Sequence, residues 1–202
     1  MRDSATAARL AGVAAILVAA VGIAGAVVAS PDFAVTGNAL SDLGRPGNPA
    51  AAPVTTLFFD GGLVLAGVVG LPFPVVLWRE RGHVLQRIAA VPLAVALVGM
   101  AGVGLFPAGE PLHFPAAVTL YLGSMVGMAL YGAGAALTGA RRRGAATVAL
   151  VVVHVGVWWW WATGGAVTRG GLAVPEILGA AIFGAWVVWT ARTGRRAGSA
   201  GH

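Results

Sequence analysis

The 202-residue chain is 58% hydrophobic and only 10% charged, so it lacks the polar surface that a water-soluble domain of this length requires. It contains no cysteine, which excludes disulfides, thiolate metal sites and cysteine nucleophiles. Its formal charge of +6 comes from 13 basic residues, all arginine, which lie between apolar runs rather than on one basic face. This arrangement argues against nucleic acid as a partner and leaves membrane lipid as the expected one.

Six apolar runs are long enough to cross a membrane, which takes roughly 20 residues of helix. We therefore predict an all-α fold, a polytopic bundle of six transmembrane helices that forms a single domain over residues 1–202. The first run ends in small residues before Ser30, as a cleaved signal peptide does, but its ~23 apolar residues are long for a signal sequence and we expect it to be retained. The predicted spans are about 7–29, 54–78, 88–106, 115–139, 145–163 and 174–191.

Small residues and prolines predict how these helices pack and bend. Glycines let helix backbones approach closely in lipid, and proline kinks a helix because it lacks a backbone N–H. The glycines expected at helix contacts are Gly99 and Gly102 in the third span and Gly123 and Gly127 in the fourth. The prolines expected to kink helices are Pro72, Pro74 and Pro92.

The arginines predict the orientation of the spans, because short cytoplasmic loops retain positive charge. Eleven of them precede the first span, follow the last or lie in the even-numbered connections, and the opposite side has Arg45 and Arg169. We therefore expect both termini in the cytoplasm (N-in/C-in) and the loops 30–53, 107–114 and 164–173 outside. Because an arginine-only, Ala- and Gly-rich composition is typical of GC-rich genomes, the expected location is the plasma (cytoplasmic) membrane of a prokaryote.

The longest outer loop carries a polar run, Asn-Ala-Leu-Ser-Asp-Leu-Gly, at residues 38–44. Ser41 and Asp42 suit the cap of a short helix or turn, because such side chains bond nearby backbone N–H groups. They are also candidates for a functional site in which Asp42 pairs with Arg45 or with His113 of the next outer loop.

Two further polar residues lie at the outer ends of spans. His113 precedes Pro115 at the expected start of the fourth span, where its imidazole is a polar tip, a general base or a metal ligand. Glu176 opens the sixth span, where the helix dipole favours a carboxylate by about 0.3–1 kcal/mol.

Asp60 and His154 lie deeper in the predicted bundle. Asp60 is about two turns inside the second span, roughly 9 Å by helix rise, and His154 is near the middle of the fifth. Ionisable groups inside a membrane are costly and usually functional. His154 is either a neutral histidine bonded to a carbonyl or hydroxyl, or part of a polar pathway. The following run 158–161, four tryptophans, is either an interface belt or in part the wall of a lipid-binding site.

The polar segments resemble a known family, the six-span prokaryotic membrane proteins catalogued as domain of unknown function 998. The resemblance covers essentially the whole chain and implies the six-helix fold and the location of a site, but no reaction, because the family has no established activity. It rests on Asn38-Ala-Leu-Ser41-Asp42-Leu-Gly44, on Leu57-Phe-Phe-Asp60-Gly-Gly-Leu63, on Phe106-Pro107 followed by His113, and on the segment from Gly171 to Glu176.

Three functions are open at this point. The first is the binding of a lipid or small amphipathic molecule in an outer-leaflet polar pocket of Ser, Asp, His and Glu. The others are a membrane-embedded hydrolase or transferase that acts on a lipid or isoprenoid, and a small-solute or proton-coupled transporter. The chain has no HExxH, histidine cluster or GxSxG elbow, so it specifies no reaction class, metal site or cofactor, and it leaves the oligomeric state open. The candidate catalytic residues are His113, Asp42, Ser41 and Glu176. The candidate ligand-binding residues are Asn38, Asp60, Glu110, His154, Trp158 and Trp161.

Overall fold

The computed structural model describes residues 2–79, 82–165 and 171–199, and these ranges contain helices and no β-strand. Six helices are long and apolar enough to span a membrane, which confirms the predicted all-α, six-span fold. Their ends lie within four residues of the predicted ones. The spans are α1 (Asp3–Ala29), α2 (Pro53–Arg79), α3 (Val84–Leu105), α4 (His113–Leu137), α5 (Arg141–Gly164) and α6 (Ala173–Thr193). The first helix begins at Arg2 and the last ends at Ser199.

Two of these spans are interrupted near prolines, as predicted, and α5 ends in a π-helical turn at Trp161–Gly165. The segments of α2 are Pro53–Thr56, a π-helical turn at Leu57–Gly61, Gly62–Gly70 and Pro72–Arg79, and those of α3 are Val84–Ile88 and Ala90–Leu105. Pro74 has no N–H to bond the carbonyl of Gly70, and Pro92 has none for that of Ile88. The interruptions at 71 and 89 lie directly after those carbonyls.

Glycine brings α3 and α4 into close contact. A Cβ atom added to Gly99 would lie 2.7 Å from the backbone nitrogen of Leu120, and one added to Gly123 would lie 2.8 Å from the carbonyl oxygen of Pro92. Any side chain at these positions would therefore push the two backbones apart. The predicted role of these glycines in helix packing is confirmed.

The centre of the bundle and its periphery differ in composition. Trp186 of α6 is fully buried, and its ring packs against Phe73 of α2 and Tyr131 of α4, with centroid distances of 6.2 and 5.4 Å. In contrast, α5 has only 11% of the residues of its apolar window buried, against 28–50% in the other five spans. Most of its surface is therefore available to surrounding lipid.

The connection 30–52 folds onto one end of the bundle, which we call the loop end; the opposite end, where α1 begins, is the terminus end. A short 3-10 helix at Leu40–Leu43 inserts its two leucines into the core. Thr55, at the start of α2, holds this loop, because its hydroxyl donates to the carbonyl of Leu43 at 3.0 Å. Arg169, predicted on this side, lies outside the described residues.

Candidate functional site

The polar run of the long loop bonds largely to itself. Oδ2 of Asp42 accepts hydrogen bonds from Nδ2 of Asn38 at 3.1 Å and from the backbone N–H of Ala39 at 3.0 Å, so Asp42 caps the 3-10 helix. Its Oδ1 lies 3.9 Å from Nη1 of Arg45, one of its two predicted partners. Ser41 is buried beside it. Of the two interpretations of this run, the capping of a short helix or turn is the one that Asp42 adopts.

Glu176 attaches the loop to α6. The backbone N–H of Leu40 donates to Oε2 of Glu176 at 2.6 Å, and the N–H of Ala173 donates to the carbonyl of Asn38 at 2.9 Å. Gly171 makes this contact possible, because its φ of +66° and a would-be Cβ only 2.5 Å from the carbonyl oxygen of Val35 both exclude a side chain. The carboxylate of Glu176 thus holds the loop in place.

Asp60 lies beneath the same loop, in the π-helical turn of α2. Its side chain is 8% exposed, Gly44 of the loop packs directly against its carboxylate, and Gly104 of α3 packs against its backbone carbonyl. Oδ1 of Asp60 has no hydrogen-bond partner. A π-turn inside a helix is frequent at functional sites, and a buried carboxylate oxygen without a partner is costly. Asp60 therefore remains a candidate.

His113 is oriented by the end of α3. Its Nδ1 lies 2.7 Å from the carbonyl oxygen of Phe106, and since a carbonyl only accepts, Nδ1 carries a proton. Asp42 and Glu176 are engaged elsewhere, and Glu110 is exposed. In residues 2–79, 82–165 and 171–199, no three His, Cys, Asp or Glu side chains come together as a metal site would require. The four candidate catalytic residues are not joined in one hydrogen-bonded cluster.

A second group of side chains, which we call the His154 site, is formed by His154 and Trp158 of α5, Tyr121 of α4 and Gly179 of α6. His154 is fully buried, yet neither ring nitrogen has a hydrogen-bond partner, so the expected bond to a carbonyl or hydroxyl is not formed. Nε1 of Trp158, one turn further along the same face, is also buried without a partner. A Cβ added to Gly179 would lie 2.5 Å from Nε2 of His154.

Aromatic rings connect this site to the loop end. The ring centroid of Tyr121 lies 6.1 Å from that of His154 and 4.8 Å from that of Trp158, and Trp161 continues the row 6.1 Å from Trp158. The hydroxyl of Tyr121 donates to the backbone carbonyl of Glu176 at 3.3 Å. The row of rings therefore runs from the middle of α5 towards the loop end of the bundle, where Glu176 of α6 holds the long loop.

The tryptophan run is divided by the helical turn, as four consecutive residues must be. Trp158 and Trp161 are half-buried and pack on each other, whereas Trp159 is 70% exposed and Trp160 is also exposed. The first pair faces protein and the second faces the surroundings of the bundle. Both predicted interpretations of the run thus have residues that suit them.

A family model described as "Protein of unknown function (DUF998)" matches residues 13–193. The chain belongs to this family. No curated protein and no solved structure matches it. The matched part of this DUF998 protein includes the long loop, Asp60, His113 and the His154 site, and it is a membrane protein with six apolar helices whose family description assigns no activity.

Tyr121 and Gly179 of this DUF998 protein are absent from the sequence-predicted site residues, and Gly44 was named only as the end of the polar run 38–44. Tyr121 is one of only two tyrosines in the chain, and a tyrosine within a span usually needs a hydrogen-bond partner, so it offered a signal. Gly179 offered none, because 31 glycines are spread over the chain and only the fold shows that Gly179 adjoins His154 and that Gly44 adjoins Asp60.

Proposed function

We propose that this DUF998 protein binds a lipid or small amphipathic molecule at the His154 site. One observation carries the proposal: His154 and Trp158, one turn apart on α5, bury three ring nitrogens that have no hydrogen-bond partner. A buried polar group left unpaired costs about 1–3 kcal/mol, and native proteins contain few of them. An oxygen of a bound molecule would accept from the N–H groups of Trp158 and His154, and a hydroxyl on that molecule would donate to the other nitrogen of His154.

The chemistry of the site favours a neutral polar group on the ligand. The indole N–H of Trp158 is a donor, and a neutral His154 offers one donor and one acceptor. The nearby carboxylate of Glu176 is engaged with the loop, and the rings of Tyr121 and Trp161 provide an apolar surface beside the nitrogens. An alcohol with an apolar tail, such as a lipid or isoprenoid that carries a hydroxyl, fits this combination.

The position of α5 supports access from the bilayer. Because only 11% of its apolar window is buried, a molecule dissolved in lipid reaches this helix without crossing the bundle. Tyr121 packs edge-on against the ring of His154 and against that of Trp158, which is half-buried. In this proposal Tyr121 and Trp158 turn aside when the ligand enters and then pack along it.

Native mass spectrometry of gently purified protein tests the proposal. We expect the wild-type protein to retain a small molecule, and His154→Phe and Trp158→Phe to lose it, because both variants keep a ring and remove the unpaired nitrogens. Trp159→Phe is the matched control: Trp159 is exposed and in the same run, so this variant should retain the molecule. Thermal unfolding of each variant separates loss of ligand from loss of fold. An empty wild-type protein, or equal retention by His154→Phe, contradicts the proposal.

The two other functions have less support from the geometry. A proton relay through His154 requires hydrogen bonds at its ring, and neither nitrogen makes one. An enzyme that used His113 with Asp42 and Glu176 would need these groups to converge, whereas Asp42 caps its own turn and Glu176 binds Leu40. The proposed site therefore lies deeper than the pocket of Ser41, Asp42, His113 and Glu176 that the sequence predicted.

We also propose that the loop end faces away from the cytoplasm, in the plasma membrane of a prokaryote, because 11 of the 13 arginines precede the first span, follow the last or lie in the even-numbered connections of the sequence. Because the chain has no cysteine, single cysteine variants report orientation cleanly. In intact cells a membrane-impermeant maleimide should label Thr36→Cys, at the loop end, and label Ala140→Cys, at the terminus end, only after permeabilisation. The reverse labelling would overturn the orientation and leave the ligand proposal unaffected.

A further inference from the structure

Four buried polar atoms without a hydrogen-bond partner occur near the terminus end of α5 and α6, well away from the His154 site. They are Nε of Arg143, Oγ1 of Thr147, Nε1 of Trp186 and Oγ1 of Thr190. The last three residues are each at most 3% exposed. Their side chains are therefore enclosed by protein and still have unused hydrogen-bonding capacity.

Arg143 connects three helices at this end. Its guanidinium carbon lies 5.3 Å from the ring centroid of Tyr131 in α4 and 5.9 Å from that of Trp189 in α6. Both contacts are cation–π interactions, which hold a guanidinium group without neutralising its charge. Thr147 is four residues after Arg143, so it lies on the same face of α5, one turn deeper.

The other two atoms belong to the same region. The ring of Trp186 packs on Tyr131 at a centroid distance of 5.4 Å, and Thr190 directly follows Trp189, on which Arg143 lies. All these residues lie within seven residues of the terminus end of their spans, which is roughly 10 Å of helix rise. This depth is that of lipid headgroups and the first part of the acyl chains.

The two buried threonines differ from others in the bundle. Thr138, Thr163 and Thr193 each donate to the carbonyl four residues earlier, at 3.2, 2.8 and 3.1 Å. This local bond is the usual one for threonine in a helix. Thr147 and Thr190 do not make it, although it is available to every helical residue after the first turn, so their hydroxyls are directed elsewhere.

The chemistry of the four atoms points to an anion. Each of them is able to donate a hydrogen bond, none is an acceptor only, and a guanidinium charge lies among them. We propose that Arg143, Thr147, Trp186 and Thr190 form a binding site for the phosphate group of an anionic phospholipid. Basic pockets between transmembrane helices bind such headgroups, and the guanidinium fork matches phosphate geometry. This site is separate from the proposed ligand site and does not depend on it.

Native mass spectrometry in neutral detergent tests the site with defined probes. Phosphatidylglycerol should bind the wild-type protein in preference to phosphatidylcholine at equal concentrations. Arg143→Gln should weaken phosphatidylglycerol binding about tenfold or more, because hydrogen bonds to charged groups are among the strong ones. Arg142→Gln is the matched control, since it removes the same charge from an exposed neighbour and should change binding little.

A second pair of variants keeps the test decisive if Arg143→Gln does not fold. The double variant Thr147→Val and Thr190→Val removes two donors and keeps the side-chain shape, so it should weaken binding. The matched double variant Thr138→Val and Thr193→Val, whose hydroxyls bond their own helices, should not. Equal binding of the two lipids, or equal effects of the paired variants, overturns the proposal. If inorganic phosphate binds the site and displaces phosphatidylglycerol from it, the site is one for free phosphate instead.

Discussion

Replacing Gly179 by alanine tests the packing of the His154 site. The added methyl carbon would lie 2.5 Å from Nε2 of His154 and 3.0 Å from Cε1 of Tyr121, so the imidazole must move by about 1 Å to restore van der Waals distance. Overpacking of this kind costs about 1–3 kcal/mol, whereas glycine to alanine inside a helix gains up to about 1 kcal/mol. The net change in unfolding free energy should be a loss of about 0–3 kcal/mol.

Gly156→Ala provides the matched control. Gly156 is in α5, close to His154 along the chain, and a Cβ built there meets nothing within 4 Å, so this variant should keep the gain in helix propensity without the clash. The two variants should therefore differ by about 1–3 kcal/mol in unfolding free energy. For a chain of this size each kcal/mol corresponds to about 2–4 °C in Tm.

Tryptophan fluorescence during heating in detergent measures the difference, since seven tryptophans report unfolding. A third variant, Gly179→Ala combined with His154→Ala, removes the ring that the methyl group meets. The cost of Gly179→Ala should then shrink, with a coupling of about 0.5–3 kcal/mol between the two sites. The reasoning is refuted if Gly179→Ala and Gly156→Ala shift Tm alike, or if removal of the imidazole leaves the cost unchanged.

Two further variants examine the long loop. Gly44→Ala places a methyl group against the buried carboxylate of Asp60, so thermal unfolding should show a loss of about 1–3 kcal/mol in unfolding free energy. In the control Gly37→Ala the added methyl group has its nearest neighbour 3.7 Å away, so the unfolding free energy should change by no more than about 0.5 kcal/mol. Equal Tm values for the two variants would show that the loop does not close over this carboxylate. Glu176→Ala leaves the N–H of Leu40 unpaired, so it should lower the unfolding free energy by about 1–3 kcal/mol and speed proteolysis of the loop. The control Glu110→Ala changes an exposed residue and should have neither effect. Unchanged proteolysis of Glu176→Ala would argue against the observed bond.

The sequence by itself determined that the chain is a membrane protein, that it has six spans, and where the spans end to within four residues. These properties are local, because each depends on a contiguous apolar run and on the residue that begins or ends it. The predicted start of α2 at 54 is one residue from the observed Pro53, and that of α5 at 145 is four residues after the observed Arg141, because the helix includes the arginine cluster. The helix interruptions are local as well, since Pro74 and Pro92 each remove one backbone donor. The sequence therefore predicts a bundle of six helices but not the side-chain contacts inside it.

Only the tertiary structure decided which polar side chains meet. The contact between Tyr121 and His154 depends on how α4 and α5 are rotated about their axes, and helices that are apolar on all sides carry no pattern that specifies an inward face. The same is true of Arg143, whose position between Tyr131 and Trp189 follows from the packing of α4, α5 and α6. Glu176 could be placed at a helix start from sequence, but its partner, the N–H of Leu40, is 136 residues away in the chain and is brought close only by the folded loop.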